Sequence, residues 1–417
     1  MHVASVDIHI ALSDLAVVAI ALAALVSGLL GGFRPLQAGR TFWFASAALL
    51  AMIGAATLYG RAVHADYPIA THAVTAAKFA EYALLALSVP LLLRSRRDVA
   101  VVLAALTAWG AAATFVALLQ FFGVDVAGAW PTGWRQPSFL GHHDFAALSG
   151  ALLALALVAI AVGNAWPFGR TVPIAAGIAG GLGLVLSGSS AAAGGAIVAA
   201  AAAALVVRGR SGISLRRVGA LALVVGSVAG GVLVLRGHDF DQFLRWIGVR
   251  PAERTTSEDV HSYAHRTVLL YIGWRIFSDH QAVGVGWQGS SEPSSYTPYL
   301  DDARRRFPDT AEQAFPAPGR DYGVQNAYVQ ALADTGVVGF VLLVGFLATA
   351  LELAARMALR GPPDVSVVTL VALLWLVVAM GVWMALGLVA GIPLDALIWL
   401  AAGLAIAGTA GARRVGS

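Results

Sequence analysis

The sequence predicts an all-α fold, a polytopic membrane helix bundle of about eleven transmembrane helices with one large outer loop. Two observations predict it. The chain has 417 residues, of which 59% are hydrophobic and only 12% are charged, whereas soluble domains carry about 25% charged residues. Its apolar stretches also approach the roughly 20 residues that a helix needs to cross a bilayer. Lipid is therefore the main solvent of this chain.

The predicted spans fall on either side of a long polar interval. Eight spans form the N-terminal unit, residues 1–235, which includes a short outer loop at 123–144. Residues 236–324 form the large outer loop, and residues 325–417 hold the last three spans. The predicted spans are Ala11–Gly32, Phe42–Tyr59, Ala73–Leu93, Val99–Phe122, Phe145–Val162, Val172–Leu186, Ala191–Val207, Val218–Leu235, Val337–Ala355, Ser366–Leu388 and Pro393–Thr409.

The arginines indicate the orientation of the bundle, because basic residues in short loops remain on the cytoplasmic side. Arginines cluster in alternate connections, whereas the opposite short connections hold only Arg61 and Arg135. We therefore expect the N-terminus outside, the C-terminus inside and the 236–324 loop on the outer face. This basic bias reports topology and gives no reason to expect nucleic-acid binding.

Arginines in the outer loops are the first candidate functional residues. Arg135 is the only arginine of the 123–144 loop, where the positive-inside bias disfavours one. Arg266 and Arg275 belong to Ser262–Asp279, which alternates apolar and polar residues at helical spacing and is predicted to lie along the membrane surface. Arginine's planar fork suits phosphate or pyrophosphate. The alternative is snorkelling to lipid headgroups.

Polar residues also stand at the outer mouth of the ninth span. Gln325, Asn326 and Tyr328 directly precede or begin this apolar stretch, and amides placed there could bind sugar hydroxyls. Helix capping and anchoring at the membrane interface explain Asn326 and Tyr328 equally well. Both interpretations remain open from the sequence.

Two pairs of histidines give weaker signals. His261 and His265 have the i, i+4 spacing of a helical metal pair, but no third ligand follows nearby, so no metal site is predicted. His142 and His143 are adjacent in a loop and cannot face one metal in that way. Placement at the membrane interface explains them better.

An intramembrane ion pair provides an alternative function. Lys78 and Glu81 are three residues apart in the third span and are expected to neutralise one another on one helical face. Charges inside a bilayer often mark a transport path. A transporter or flippase of lipid-linked glycans is therefore the main alternative to an enzyme.

Three stretches resemble the O-antigen ligase and polymerase superfamily of bacterial envelope proteins: Arg135–Phe145, Ala264–Ser290 and Gln325–Gly339. The last stretch, QNAYVQALADTGVVG, is the most specific. It is similar to the family's His-Asn-x-Tyr-Leu-Gln signature, which is followed by an acidic residue and two spaced glycines. This chain has Gln325 where the ligases usually place histidine, and Ser190 where the family more often has arginine.

The resemblance implies a GT-C-like membrane glycosyltransferase in the bacterial plasma (inner) membrane. Such an enzyme moves or polymerises a glycan from a polyprenyl (undecaprenyl) diphosphate donor onto a glycan or lipid acceptor, as in lipopolysaccharide or exopolysaccharide synthesis. It needs neither a nucleotide sugar nor a metal cofactor. Its expected partners are the donor, the acceptor, membrane lipids and other envelope polysaccharide assembly proteins.

The resemblance also suggests roles for individual residues. Arg135 and Arg266 would hold the diphosphate, with Arg275 in reserve, while Gln325 and Asn326 would orient the acceptor. A glutamine cannot take a proton at neutral pH, so the base would have to be another residue, and Tyr328 would complete the substrate site. The candidate bases are His261, His265 and Asp321. The loss of the family histidine and arginine also leaves open a catalytically silent assembly partner.

Overall fold

A computed structural model confirms the predicted fold class, a polytopic helical membrane bundle. Helices make up 81% of it, and the part of the chain that it describes contains no β-strand. Ten helices in this part are long and apolar enough to cross a membrane. The described residues are 12–246, 249–250, 262–308, 310–317, 323–388 and 392–415.

Each predicted span corresponds to one helix. The shortest of these, α6, has only 17 residues, which is about 26 Å of helix at 1.5 Å per residue. The helices are α1 (Leu12–Gly31), α2 (Arg40–Val63), α3 (Ile69–Leu92), α4 (Arg96–Phe121), α5 (His142–Val162), α6 (Thr171–Ser187), α7 (Ser190–Ser211), α8 (Leu215–Leu235), α9 (Gly237–Trp246), α10 (Ser262–Asp279), α11 (Pro293–Tyr296), α12 (Leu300–Arg306), α13 (Ala327–Arg360), α14 (Pro363–Val382) and α15 (Ile392–Val415).

The connections between the spans gather at two ends of the bundle. One end holds the connections after α1, α3, α5, α7 and α13, and we call it the arginine-rich end. There Arg96 pairs with Asp364, and Arg210 donates to the carbonyl of Gly361. The opposite end holds the α4–α5 loop and the described residues of 236–324, which include α9 to α12. We call residues 236–324 the outer segment and this end of the bundle the outer-segment end. The candidate site lies at this second end.

Helices α5 and α14 form the centre of the bundle, since most of each helix is buried by its neighbours. They contact each other directly, and the Trp375 indole donates to the carbonyl of Ala151 across 2.8 Å. Gly180 lets α6 approach α5 closely, because a Cβ at this position would lie 2.4 Å from the Leu153 nitrogen. Small residues commonly permit such backbone contact between membrane helices.

Helix α13 is broken at Gly336, where φ is 63° and ψ is −167°. This backbone conformation is essentially restricted to glycine. The break leaves the amides of Val337 and Val338 without carbonyls from the preceding turn, and they bond instead to the carbonyls of Gln281 and Ala282 at 2.8 and 3.3 Å. The predicted span beginning at Val337 therefore matches the second half of α13.

A fully buried carboxylate fastens the outer segment to this break. Asp334 is 0% exposed, and it accepts hydrogen bonds from the backbone amides of Gln288 and Ser290 at 3.1 and 2.9 Å. The Gln330 side chain adds a third bond of 3.0 Å to the same carboxylate. A buried charge needs such partners, so the acidic residue of the signature has a structural explanation.

Helix α10 has the bounds predicted from the sequence, and protein covers one apolar face of it, while Leu270 and Trp274 are exposed. Val268, Ile272 and Ile276 are buried in a cluster that includes Tyr296 and Phe315 of the same outer segment. Helix α10 also packs on α13. The position of this helix along the membrane surface stays a prediction, because alternating polarity does not distinguish a protein-covered face from a lipid-covered one.

The expected pairing of Lys78 with Glu81 is also corrected. Lys78 Nζ lies 2.9 Å from Asp14 Oδ2 of α1, whereas Glu81 Oε1 has no hydrogen-bond partner among the described residues. A lysine on α3 reaches α1 because the two helices pack side by side. The pair therefore joins two helices.

Candidate anion site at the outer-segment end

Two buried glutamines hold the loop that carries Arg135. Gln120 is 0% exposed, and its amide both accepts from the Ser138 nitrogen at 2.8 Å and donates to the Ser138 carbonyl at 3.1 Å. The backbone amide of Gln136 donates to the carbonyl of Leu186 at 2.8 Å. These bonds fix the backbone on the C-terminal side of Arg135 against the ends of α4 and α6.

Arg135 lies between an aromatic ring and an imidazole. Its guanidinium carbon is 4.8 Å from the centre of the Trp130 ring, within the range of a cation–π contact. Its Nη1 is 3.0 Å from Nε2 of His142, and the rings of Trp130 and His142 stack at 5.3 Å. The side chain is therefore held in one place before any substrate binds.

Arg266 reaches the next histidine along the chain. Its Nε donates to Gln325 Oε1 at 2.9 Å, and its Nη2 lies 3.3 Å from Nε2 of His143. The rings of His142 and His143 touch with their centres 4.9 Å apart. Two arginines from distant parts of the sequence thus meet at one pair of adjacent histidines at the start of α5.

A third guanidinium belongs to Arg236, the residue that ends α8. It lies over the ring of Tyr263 at 4.8 Å and donates twice to Asp239 Oδ2, at 2.9 and 2.7 Å. Gly188 separates it from Arg135, since a Cβ on Gly188 would lie 3.0 Å from Arg135 Cβ and 3.3 Å from Arg236 Cδ. We call Arg135, Arg236 and Arg266 the arginine cluster.

Arg236 is the residue that sequence reasoning missed. In the sequence it is the first residue of the predicted outer loop and carries no motif. One signal could have found it, because an arginine at the predicted outer end of a span departs from the positive-inside bias as Arg135 does. Placement at the membrane interface, the explanation that the sequence favours for His142 and His143, also misses their contacts with Arg135 and Arg266.

The three arginines repel one another in a partly desolvated place. Burial, and then the positive charges of Arg236 and Arg266, lower the pKa of Arg135 to about 10. Burial and the charge of Arg236 likewise lower the pKa of Arg266 to about 10. Both groups stay protonated at neutral pH, and Asp239 forms an ion pair with Arg236 at 2.7 Å. An anion bound there would relieve the repulsion.

The two histidines add hydrogen-bond donors to this positive region. Each Nε2 faces a guanidinium donor, so the proton of a neutral ring is assigned to Nδ1. Both Nδ1 atoms are buried and have no hydrogen-bond partner among the described residues. A ligand with several acceptor oxygens, such as a phosphate or diphosphate, would satisfy these donors together with the guanidinium groups.

Of the two positions that depart from the family signature, Gln325 contacts the arginine cluster directly and Ser190 contacts a tyrosine beside it. Gln325 accepts a hydrogen bond from Arg266. Ser190 Oγ lies 3.4 Å from the hydroxyl of Tyr263, and the ring of Tyr263 lies under the guanidinium of Arg236. A neutral glutamine beside Arg266 adds no further positive charge. Both departures therefore belong to the site.

Asn326 and Tyr328 have well-defined structural contacts. The Asn326 side chain caps α13 by accepting from the amides of Tyr328 and Val329 at 3.1 and 3.0 Å, and its own amide donates to the carbonyl of Met384 at 3.1 Å. The Tyr328 hydroxyl donates to the carbonyl of Met380 at 2.9 Å. These bonds tie the start of α13 to the end of α14 and explain both residues without a substrate.

Arg275 does not join the arginine cluster. It lies nine residues after Arg266 on α10, which places it on the opposite face of that helix. It forms an ion pair of 2.7 Å with Asp302, and its bond to the Tyr271 hydroxyl and this charge raise its pKa. Its described contacts are all with the outer segment.

Of the three candidate bases, the structure describes only His265. His265 is buried, its Nδ1 lies 2.8 Å from the carbonyl of Ala314, and burial lowers its pKa. His261 and Asp321 lie outside the described residues. Among those that are described, no three histidine or acidic side chains come together in a way that could hold a metal ion.

Comparison with known families identifies one match. Residues 174–344 match the model of the O-antigen ligase family, a range that runs from α6 into α13 and contains Arg236, Arg266 and Gln325. Arg135 and the two histidines precede it. No curated protein matches the chain. The family match confirms the resemblance to the O-antigen ligase and polymerase superfamily that was predicted from the sequence.

Proposed function

We propose that this protein transfers or polymerises a polyprenyl-diphosphate-linked glycan at the outer face of the plasma membrane, without a metal cofactor. The observation that carries the proposal is the arginine cluster with two histidine donors, built at one end of a membrane bundle. A diphosphate supplies negative charge and several acceptor oxygens to three guanidinium groups and two imidazoles at once. The isoprenoid tail of such a donor would remain in the bilayer.

The cluster acts on the leaving group in this proposal. The bond from the anomeric carbon to the diphosphate oxygen breaks, its electron pair departs with the polyprenyl diphosphate, and negative charge grows on that oxygen. Arg135, Arg236 and Arg266 stabilise this charge. Arg135 and Arg236 are already positioned for this, and Arg266 turns from His143 toward the diphosphate when the donor binds. The acceptor oxygen forms the new bond to the same carbon.

The proton of the acceptor hydroxyl needs a destination, and His143 is the proposed base. Its Nε2 has a lone pair that faces Arg266 Nη2 across a long contact of 3.3 Å. When that guanidinium turns toward the diphosphate, the lone pair becomes available for the acceptor proton. Gln325 orients Arg266 and cannot take the proton itself.

The proposal is tested with purified protein, a pool of polyprenyl-linked glycans and mass spectrometry of the products. Transferred or lengthened glycans are expected, and their formation should fall when Arg135 is replaced by alanine. Products unchanged by that substitution would contradict the assignment of Arg135. Movement of the donor across reconstituted vesicles without any transfer would favour a carrier, and neither activity would favour a silent assembly partner.

The outer position of the site depends on the orientation of the bundle. We expect reporter fusions after Arg97 and Arg217 to be located in the cytoplasm, and a fusion after Pro293 to be located outside, because arginines concentrate in the first set of connections. Alkaline phosphatase and fluorescent-protein reporters give opposite signals at each position. A cytoplasmic location for Pro293 would rule out transfer at the outer face.

A further inference from the structure

A second concave site lies at the arginine-rich end, far from the arginine cluster. It is a cavity of about 310 Å³ where α3, α4, α14 and α15 meet, within the range of roughly 300–1,000 Å³ that is usual for ligand sites. Space exists there because the end of α15 offers only small residues to its wall. These are Ala407, Gly408, Ala410 and Gly411.

The wall of this cavity divides into an apolar and a basic part. Val99, Val365, Val368 and Leu404 supply apolar surface between the helices. Arg94, Ser95 and Arg96 supply a polar rim at the turn between α3 and α4, and all three are exposed. An amphiphile with an anionic head would match both parts at once.

The arginines of the rim differ in whether a carboxylate neutralises them. Arg96 is paired with Asp364, the one carboxylate of the lining. Arg94 donates through Nη2 to the Ser27 hydroxyl at 2.7 Å and to the Ser27 carbonyl at 3.2 Å, both uncharged groups. Arg97 is exposed beside them. The carboxylate of Asp98 accepts from the backbone amides of Arg94 and Ser95 at 2.9 and 2.8 Å. Three arginines against Asp98 and Asp364 leave this turn with net positive charge.

We propose that this cavity binds an anionic phospholipid, with its phosphate at Arg94 and Arg96 and the start of one acyl chain along α14 and α15. Basic pockets between membrane helices on the cytoplasmic side are recognised sites for anionic lipid headgroups. The apolar wall distinguishes this ligand from free phosphate, which gains nothing from Val365 or Leu404. The proposal does not depend on the reaction at the other end of the bundle.

Native mass spectrometry of the purified protein with phosphatidylglycerol, phosphatidylcholine or inorganic phosphate tests the proposal. We expect phosphatidylglycerol to bind at least about tenfold more tightly than phosphatidylcholine, and the double variant Arg94→Gln/Arg96→Gln to lose this preference. Arg360→Gln is the matched control, because Arg360 is an exposed arginine at the same end that does not line the cavity.

A second variant separates the cavity from the general positive charge of this end. Ala410→Leu adds a larger side chain to the cavity wall and leaves every arginine in place, so it should also weaken phosphatidylglycerol binding. Equal binding of phosphatidylglycerol to all the variants would overturn the proposal. Displacement of the lipid by inorganic phosphate at equal concentration would overturn it as well, since the acyl chain would then contribute nothing.

Discussion

Replacing Arg266 by alanine is expected to reduce glycan transfer by about two to three orders of magnitude, the usual cost of removing one positioned group that stabilises charge in a transition state. Arg266 donates to Gln325 and faces His143, so its loss removes positive charge from the diphosphate and disturbs the proposed base. The initial rate of product formation by purified protein, followed by mass spectrometry, measures the effect.

The control for this variant lies on the same helix. Arg275→Ala removes an arginine from the opposite face of α10, where its partner is Asp302, and it should retain most of the activity. Arg266→Lys should recover little, because an ammonium cannot replace a planar fork that contacts two neighbours. An Arg266→Ala protein that melts like the wild type and transfers glycan at the wild-type rate would refute the role of Arg266.

Replacing Gly336 by alanine is expected to destabilise the protein by about 3 kcal/mol or more, because two costs add. The backbone angles at this residue, φ 63° and ψ −167°, suit only glycine. An added Cβ would also lie 2.3 Å from the carbonyl carbon and oxygen of Ala282. The outer segment could then no longer dock on the break in α13. Thermal unfolding in detergent, followed by tryptophan fluorescence, measures the loss.

Gly345 offers a matched control on the same helix. A Cβ there meets nothing within 4 Å, and its backbone is helical, so Gly345→Ala should leave stability unchanged or raise it by up to about 1 kcal/mol. Equal melting temperatures for the Gly336→Ala and Gly345→Ala proteins would show that the break at Gly336 is not required by the fold.

The arrangement of the bundle was predictable because it depends on local properties of the chain. A membrane span needs only a long apolar stretch, and each predicted stretch corresponds to a helix. The predicted ninth span, Val337–Ala355, lies within α13, but this helix begins ten residues earlier, at Ala327. The break at Gly336 was not predictable, because it depends on the distant Gln281 and Ala282.

The arginine cluster was only partly predictable, for a similar reason. Arg135 and Arg266 could be selected one at a time by the charge bias of the loops, and they meet in the structure. Arg236 and His143 join them only because the starts of α5 and α10 lie beside the end of α8. Spacing in the sequence does not encode that convergence.

Side-chain pairing inside the bundle shows the same limit. Lys78 was expected to pair with Glu81 because helical periodicity relates residues three apart. It pairs with Asp14 instead, since α1 packs against α3 and brings a carboxylate that no local rule could locate. Periodicity identifies which face a residue occupies, while the neighbour on that face depends on the tertiary fold.

Binding of polyprenyl diphosphate to the purified protein tests the central claim most directly, since it needs neither the acceptor nor the sugar. Affinity can be measured for the wild type and for Arg135→Gln, Arg236→Gln and Arg266→Gln, with polyprenyl monophosphate and the Arg275→Gln protein as controls. We predict tighter binding of the diphosphate than of the monophosphate, and a loss of at least about tenfold with each cluster variant but not with Arg275→Gln. Equal affinity for both lipids in all the proteins would contradict the account.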